Sequence, residues 1–271
     1  MLIYRSFLMF CVVMGAWISV GAPADSADAI PCKEYTVIEL RRYTIKEGQR
    51  GSFGKRFKSF FPEAIQQTGA IVAGEFLERT NTSMFTWIRG FHDLDDRARL
   101  NAMLYFGPVW KEHRNDMNDL LIDSDNVLLL HPLNSQPGVT ILPAVDPAKE
   151  TDGAHGIAIA QIFALKPDGL KTVSPDTEAL FAGYPAVGAR EAGVLTTLDV
   201  PNNFPQLPIR TDGPYLVWLG ILKDDEMLVR FRPLAEKTVR SLSAAGVLRG
   251  PAELVILDPA PRSRMRWLRT W

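Results

Sequence analysis

At 271 residues the chain holds one large domain or two of ordinary size, and 46% hydrophobic with 23% charged residues excludes an intrinsically disordered protein. A formal net charge of -1 supplies no global field to draw in nucleic acid. The amino terminus reads as an address. Arg5 precedes an almost unbroken apolar run over 6–20, and 22–24 or 27–29 offers the small residues a signal peptidase recognises. The run is shorter than the ~20 residues needed to span a bilayer. Residues 1–29 are therefore expected to be a signal peptide cleaved between Ala24 and Ala29, leaving a periplasmic or secreted protein with no membrane span. Cys11 leaves with the signal and strands Cys32, which excludes an internal disulfide.

Residues 35–48 open the folded part. They alternate as a half-buried strand does, with Thr36, Ile38 and Leu40 on one face and Val37, Glu39, Arg41, Tyr43 and Ile45 on the other. The first is a core face; the second is mixed, and it either lines a polar pocket or pairs charges at an interface. From residue 49 the period changes. Phe53, Phe57, Phe60, Phe61, Ala64 and Ile65 recur at helical spacing, which predicts an amphipathic helix over 49–68 ended by Gly69. Strands are expected at 70–78 and 84–91, around the turn residues Thr80, Asn81 and Thr82. Asp93 is placed to cap a helix over 97–106, which Gly107 and Pro108 break, and a second helical piece carries Trp110, His113, Met117, Leu120 and Leu121 on one stripe. A short strand at 126–131, stopped by Pro132, completes the ferredoxin-like order β-α-β-β-α-β.

Residues 134–154 are rich in Pro, Gly and Asp and read as a linker. Beyond it the order repeats. A strand over 156–165 sets Ile157, Ile159, Gln161, Phe163 and Leu165 where Val37, Glu39, Arg41, Tyr43 and Ile45 stood. A helix is expected at 172–188, a hairpin at 193–199 and 214–222 around a Pro- and Asn-rich loop, a second helix at 225–245 and a last strand at 253–259. Trp218 then matches Trp87, and Gly220 matches Arg89. The expected domains are a signal peptide at 1–29, a first unit at 34–133, a linker at 134–154, a degenerate second unit at 155–260 and a tail at 261–271. The fold class expected is α+β, two ferredoxin-like units paired sheet to sheet as an intrachain dimeric α/β barrel, because a lone unit leaves one sheet face uncovered. In the tail Arg262, Arg264, Arg266 and Arg269 stand among Trp267 and Trp271, and a tail folded over the body with its arginines in water is expected.

The first unit resembles the NIPSNAP family, whose domains have the fold of the dimeric α/β barrels. The likeness rests on Glu39-Leu40-Arg41-Arg42-Tyr43 followed by Ile45-Lys46-Glu47-Gly48, on the hairpin entry over 69–74, on Phe91-His92-Asp93-Leu94-Asp95-Asp96-Arg97-Ala98, and on Pro108-Val109-Trp110 ahead of a late strand ending in Pro132. Arg89 stands where such a domain more often has an aromatic residue, and Phe91 where Tyr is usual. The second unit is only faintly similar, so one site built mainly by the first unit is expected. The resemblance implies a poorly defined role that ranges over binding, while the wider fold hosts cofactor-free monooxygenases, isomerases and haem enzymes.

The candidate ligand-binding residues are Glu39, Arg41, Tyr43, Trp87, Arg89, Phe91 and His113. A neighbouring strand can bring Arg89 to Glu39, and two guanidinium groups beside one carboxylate leave spare positive charge suited to a carboxylate or enolate ligand. The competing expectation is a satisfied ion-pair network between the two units. His113 shares a stripe with Trp110 and Met117; a helix histidine facing the sheet ligates iron in haem proteins of this fold, so haem is the alternative to the expected lack of a cofactor. A packed, hydrogen-bonded histidine is the plainer expectation. No pair of histidines has metal-ligand spacing, and no Gly-rich phosphate loop, Gly-x-Ser-x-Gly elbow or Cys-x-x-Cys occurs. The expected function is binding of a small or apolar ligand or a protein partner by a monomer with an internal pseudo-dimer or a higher oligomer. The alternative is an enzyme of the same fold, a cofactor-free monooxygenase or isomerase or a haem protein.

Overall fold

A computed structural model describes residues 30–31, 35–133 and 138–268; the expected signal peptide, Cys32, Arg269 and Trp271 lie outside the described residues. In chain order the first half contributes β1 (Ile30–Pro31), β2 (Val37–Ile45), α1 (Arg50–Thr68), β3 (Ile71–Glu78), β4 (Met84–Phe91), α2 (Leu94–Tyr105), α3 (Pro108–Asn118) and β5 (Leu121–Pro132). The second half contributes β6 (Thr140–Ile141), β7 (Ile157–Ala164), α4 (Gly169–Val173), α5 (Thr177–Phe181), β8 (Arg190–Thr197), β9 (Tyr215–Leu222), α6 (Asp225–Ala244) and β10 (Glu253–Pro259).

Local chemistry accounts for most of the boundaries. Gly69 closes α1 with a left-handed φ of 108°. Asp93 caps α2 by accepting a 2.7 Å hydrogen bond from the Asp96 backbone, so the helix begins three residues earlier than its apolar period announces. Pro108 starts α3 at a position where its missing N–H costs nothing. The strand expected at 126–131 in fact begins at Leu121, because Asp123, Ser124, Asp125 and Asn126 interrupt its apolar pattern and its pairing with β2 shifts register between Arg42 and Ile45. The helix expected over 172–188 is instead two five-residue helices and two 3-10 turns, with Pro175 and Pro185 each set inside a 3-10 turn. The expected linker is not a free tether: β6 pairs with β1, and Val139, Ile141 and Leu142 are buried.

Eight strands close into one antiparallel barrel in the order β10, β3, β4, β2, β5, β8, β9, β7, with β7 returning to β10. Within each half the four long strands lie in the same order, second, third, first, fourth. The fourth strand of each half pairs with the second strand of the other, through β10 with β3 and β5 with β8. Even-numbered β2 residues point inward. Ile38 and Leu40 join Ile88, Leu128 and Leu130 in one buried cluster with Ala158, Ala160, Leu219 and Val255 of the second half. Arg42 is the inward charge. It donates to both carboxylate oxygens of the buried Glu78 at 2.7 and 3.1 Å, and to Glu253 of β10 at 2.6 Å, so it ties the two halves at one seam.

The described part of the tail also packs. Arg266 is 2% exposed and forms a two-armed pair with Glu150 at 2.6 Å on each oxygen, so the expectation of solvated tail arginines fails at this residue. Among the described residues no helix is long and apolar enough to cross a membrane.

Candidate functional site

The outward face of β2 carries Val37, Glu39, Arg41, Tyr43 and Ile45, and it lies under α1, α2 and α3 rather than at the seam between the halves. This corrects the expectation that charge pairing at the interface is the work of the mixed face; Arg42, on the other face, does that. Between sheet and helices a cavity of about 400 Å³ stays open. Its walls are aromatic, with Phe53, Phe57 and Phe61 from α1, Trp87 from β4, and Tyr105 and Trp110 from the two sides of the α2–α3 break. Arg41 and Tyr43 reach it from β2, and Lys111 and Arg114 sit on its exposed side. The break explains the space. Phe106, Gly107 and Pro108 end one helix and begin another, so no continuous helix lies across this part of the sheet.

A further wall comes from the other half. The loop 198–214 between β8 and β9 crosses to the first half, where the Leu198 and Arg210 backbone N–H groups donate to Leu129 and Val127. Gln206, Leu207 and Pro208 line the cavity, and Phe204 lies against Tyr105 and Phe106 at ring separations of 6.1 and 6.2 Å.

Beside the cavity stands a buried ionic cluster. Glu39, Arg41, Arg89 and Arg97 are each at most 1% exposed. Glu39 Oε2 accepts from Arg41 Nη1 and Arg89 Nε, and Oε1 from Arg97 Nε, all at 2.7 Å. The pair Glu39 and Arg89 is directly cross-strand, as the alternation anticipates. Burial alone would raise the Glu39 carboxyl; Arg89, Arg41 and Arg97 overcome that and hold it well below the usual carboxylate range. Three guanidinium groups share one carboxylate, an excess of two positive charges away from water. Arg41 Nε donates a hydrogen bond to Tyr43 Oη at 2.7 Å, which leaves the phenol's own proton for a ligand oxygen. Burial raises the Tyr43 pKa, so the hydroxyl stays protonated at neutral pH. Arg97 Nη1 is held by the side-chain oxygens of Asn202 and Asn203 at 3.0 and 2.6 Å, a link to the second half that the sequence pattern does not announce.

The predicted residues divide by position. Arg41, Tyr43 and Trp87 line the cavity; Glu39, Arg89 and Phe91 stand behind it, with the Arg89 guanidinium 5.0 Å from the Trp87 ring and 5.1 Å from that of Phe91. His113 does neither. It stacks on the exposed Phe60 at 3.7 Å between ring centroids and is not among the residues that line the cavity. Its position on the helix stripe is right, but α3 turns that edge of the stripe toward α1. Among the described residues no cluster of three His, Cys, Asp or Glu could hold a metal ion. Sequence reasoning missed Arg97, Tyr105 and Trp110 as site residues; the spacing of Arg97 and Tyr105 by two helical turns was the available signal.

Comparison with known proteins follows this division. Residues 38–136 match the NIPSNAP family model. The NIPSNAP match thus spans the first half, which owns the cavity and the ionic cluster, and stops before the second. No curated protein matches the chain. Among solved structures, a candidate monooxygenase from Lactobacillus acidophilus is similar with a TM-score of 0.55 at 13% identity, covering 86% of this chain and 98% of that one. An anthrone oxidase-like protein gives 0.53 at 10% identity, over 85% and 94%. A NIPSNAP domain protein from Burkholderia xenovorans is 22% identical over 37% of this chain and 98% of its own, with a TM-score of 0.35. At these identities the likeness speaks for the fold.

Proposed function

We propose that the protein binds a flat, largely apolar small molecule bearing an acidic oxygen, and that the site stabilises the anion of that molecule as the opening step of cofactor-independent oxygenation. The observation that carries this reading is one cavity with aromatic walls and a buried polar spot, Arg41 with Tyr43. Rings recognise a planar apolar body. Arg41 and the Tyr43 proton meet the anionic oxygen of the bound ligand at the buried end of a cavity walled by α1, α3 and the loop 198–214. No carboxylate is among the residues that line the cavity, and Glu39 is saturated by three arginines, so the ligand releases its proton to water at the open side, where Lys111 and Arg114 stand, and is held as the anion. The full-length likeness to a candidate monooxygenase and an anthrone oxidase-like protein supports the oxygenase reading by fold analogy.

The same reading takes the two halves as a tandem pair of ferredoxin-like units in which only the first keeps a site. It also takes residues 1–29 as a cleaved signal, which would set the protein to work in the periplasm or outside the cell. The test is direct. Purified protein is expected to quench or shift the fluorescence of 2-naphthol and to consume oxygen with anthrone as probe, and Arg41→Met and Tyr43→Phe should weaken both with little change in unfolding. Binding without oxygen uptake would leave a carrier rather than an enzyme, and no binding would sink the pocket itself. Mass spectrometry of co-purified molecules identifies the natural ligand.

A further inference from the structure

We infer that the first half holds a compact anionic acceptor beneath the cavity, coordinated by Arg89, Arg97, Trp87 and Asn101. Among the described residues four buried side-chain atoms have no hydrogen-bond partner: Trp87 Nε1, Arg89 Nη2, Arg97 Nη2 and Asn101 Nδ2. All four are donors, and all four belong to one neighbourhood. Arg89 and Arg97 meet on the two oxygens of Glu39. Asn101 is one helical turn from Arg97 on α2, and Tyr105 one turn further, so the ridge runs from the ionic cluster to the cavity wall. The Arg89 guanidinium carbon lies 5.0 Å from the Trp87 ring and 5.9 Å from that of Tyr105, two residues that line the cavity.

Charge and hydrogen bonding point the same way. Ring faces offset part of a cation's field, but they offer no acceptor to N–H groups in the guanidinium plane. Arg89 Nη2 forms an ion pair with Glu39 Oε2 at 2.7 Å but no aligned hydrogen bond, so of the four donors it is the one whose charge is already met, and Trp87 Nε1, Arg97 Nη2 and Asn101 Nδ2 are the ones left without an acceptor. Buried donors in proteins are almost always satisfied. Three positive groups and one negative group leave room for added negative charge, and an acceptor with several lone pairs is the group that donors of this kind in one cluster call for. A halide, or a second anionic oxygen of the cavity's ligand beyond the one that Arg41 and Tyr43 meet, has that chemistry; the second source rests on the pocket reading above and enters past Trp87, the member of the set that lines the cavity.

Two arms separate the sources. In the first, full-length protein in sodium gluconate at constant ionic strength is titrated with bromide while thermal unfolding is followed. A saturable rise in melting temperature is expected, with the half-point moved at least tenfold in Arg97→Gln and in Asn101→Leu, the second variant serving if the first folds poorly. In the second arm, 2-naphthoate is compared with its neutral isostere 2-naphthamide by fluorescence. The naphthoate is expected to bind at least tenfold tighter, with that preference reduced in the same variants, and competition by bromide would identify the two sources as one site. A response in either arm that depends on Arg97 or Asn101 supports the inference. Melting that follows ionic strength alone, together with equal naphthoate and naphthamide affinities, overturns it. If both naphthalenes fail to bind, the pocket reading falls while the bromide arm still decides the anion site.

Discussion

Beside Trp87 the space under the first-half helices is open at about 400 Å³ and bordered by charge; around its counterpart Trp218 in the second half rings pack directly against the sheet. The strand register is the same in both. Arg41 faces Trp87 across β2 and β4, and Gln161 faces Trp218 across β7 and β9. Two residues on, the halves part: Arg89 faces Glu39, while Gly220 faces Ile159. The Trp218 ring lies over Gly220 so closely that a Cβ there would fall 2.0 Å from it, and its Nε1 donates to Glu191 at 2.9 Å. Trp87 has a guanidinium beside it instead, and its Nε1 has no partner among the described residues. Tyr184 and Phe231 then close the second half, 4.8 and 5.4 Å from the Trp218 ring, and the Tyr184 hydroxyl is shared with Gln161 and Thr238. The continuous α6 lies across this half where the first has the α2–α3 break. At matching strand positions one half sets rings and the other sets buried charge beside a cavity.

The strongest way to break that comparison is to remove the central polar residue of each half. Glu39→Ala leaves three buried guanidinium groups with no counter-charge and is expected to cost about 5 kcal/mol, the upper end for a broken buried pair. Gln161→Ala is expected to cost about 1–2 kcal/mol, because Tyr184 keeps Thr238 as a partner. Urea unfolding of the two variants measures the difference, and equal losses would mean that the cluster is not specially charged. The tryptophans reverse the order. Trp218→Ala opens a new void among Tyr184 and Phe231 and should cost about 4 kcal/mol, whereas Trp87→Ala enlarges a cavity already present and should cost about 2 kcal/mol while weakening ligand binding.

Two buried glutamates on the outward face of the first-half sheet sharpen the contrast through pH. Glu75 on β3 is 3% exposed, and burial pushes its carboxyl up to about 7, only partly opposed by Arg262 and Lys58. A carboxyl raised in the folded state stabilises fully below its unfolded value near 4.5 and loses that contribution as pH rises through about 7. The loss amounts to about 3 kcal/mol at most. Glu39 has the opposite sign: its contribution is present above the ordinary carboxylate range and disappears as pH falls below it. Unfolding free energy measured from pH 5 to 8 should therefore decline in the native chain and lie flat in Glu75→Gln. A slope unchanged by the substitution would assign the pH dependence elsewhere.

Much of this division was legible in the residues. The alternation over 35–48, the cross-strand meeting of Glu39 with Arg89 and the match of Gly220 to Arg89 all follow from a period of two and from a repeated strand order. What the pattern hid was direction. A strand with Ile38 and Leu40 on one face and Val37 and Ile45 on the other has two buried faces, so composition does not say which one meets helices and which one meets the second half. Arg42 shows the consequence, since its neighbours in sequence drew attention away from the residue that bridges the seam. His113 shows a related limit: a helical stripe fixes a face to within about a turn, and one edge of the stripe packs on α1 at Phe60. The part played by 198–214 was out of reach, because a Pro- and Asn-rich loop has no period from which to infer a docking surface.

That loop carries the smallest expected effect and the finest test of how far the first half stands alone. Phe204 is 5% exposed and lies against Tyr105 and Phe106, two residues of the cavity wall, so it backs that wall from the side that the second half supplies. Its contacts lie at the end of a long connection rather than in either main cluster, and Phe204→Ala should therefore cost only about 1 kcal/mol of stability, toward the low side for core truncations. Ligand escape should respond more than folding does. With 2-naphthol as probe, dissociation in stopped-flow fluorescence is expected to speed up several-fold while association changes little, as is usual for contacts made after docking. If neither rate moves, the loop fills space without closing the site, and the cavity belongs to the first half by itself. If association quickens as much as dissociation, Phe204 gates entry instead, and the second half controls access to a cavity that the first half builds.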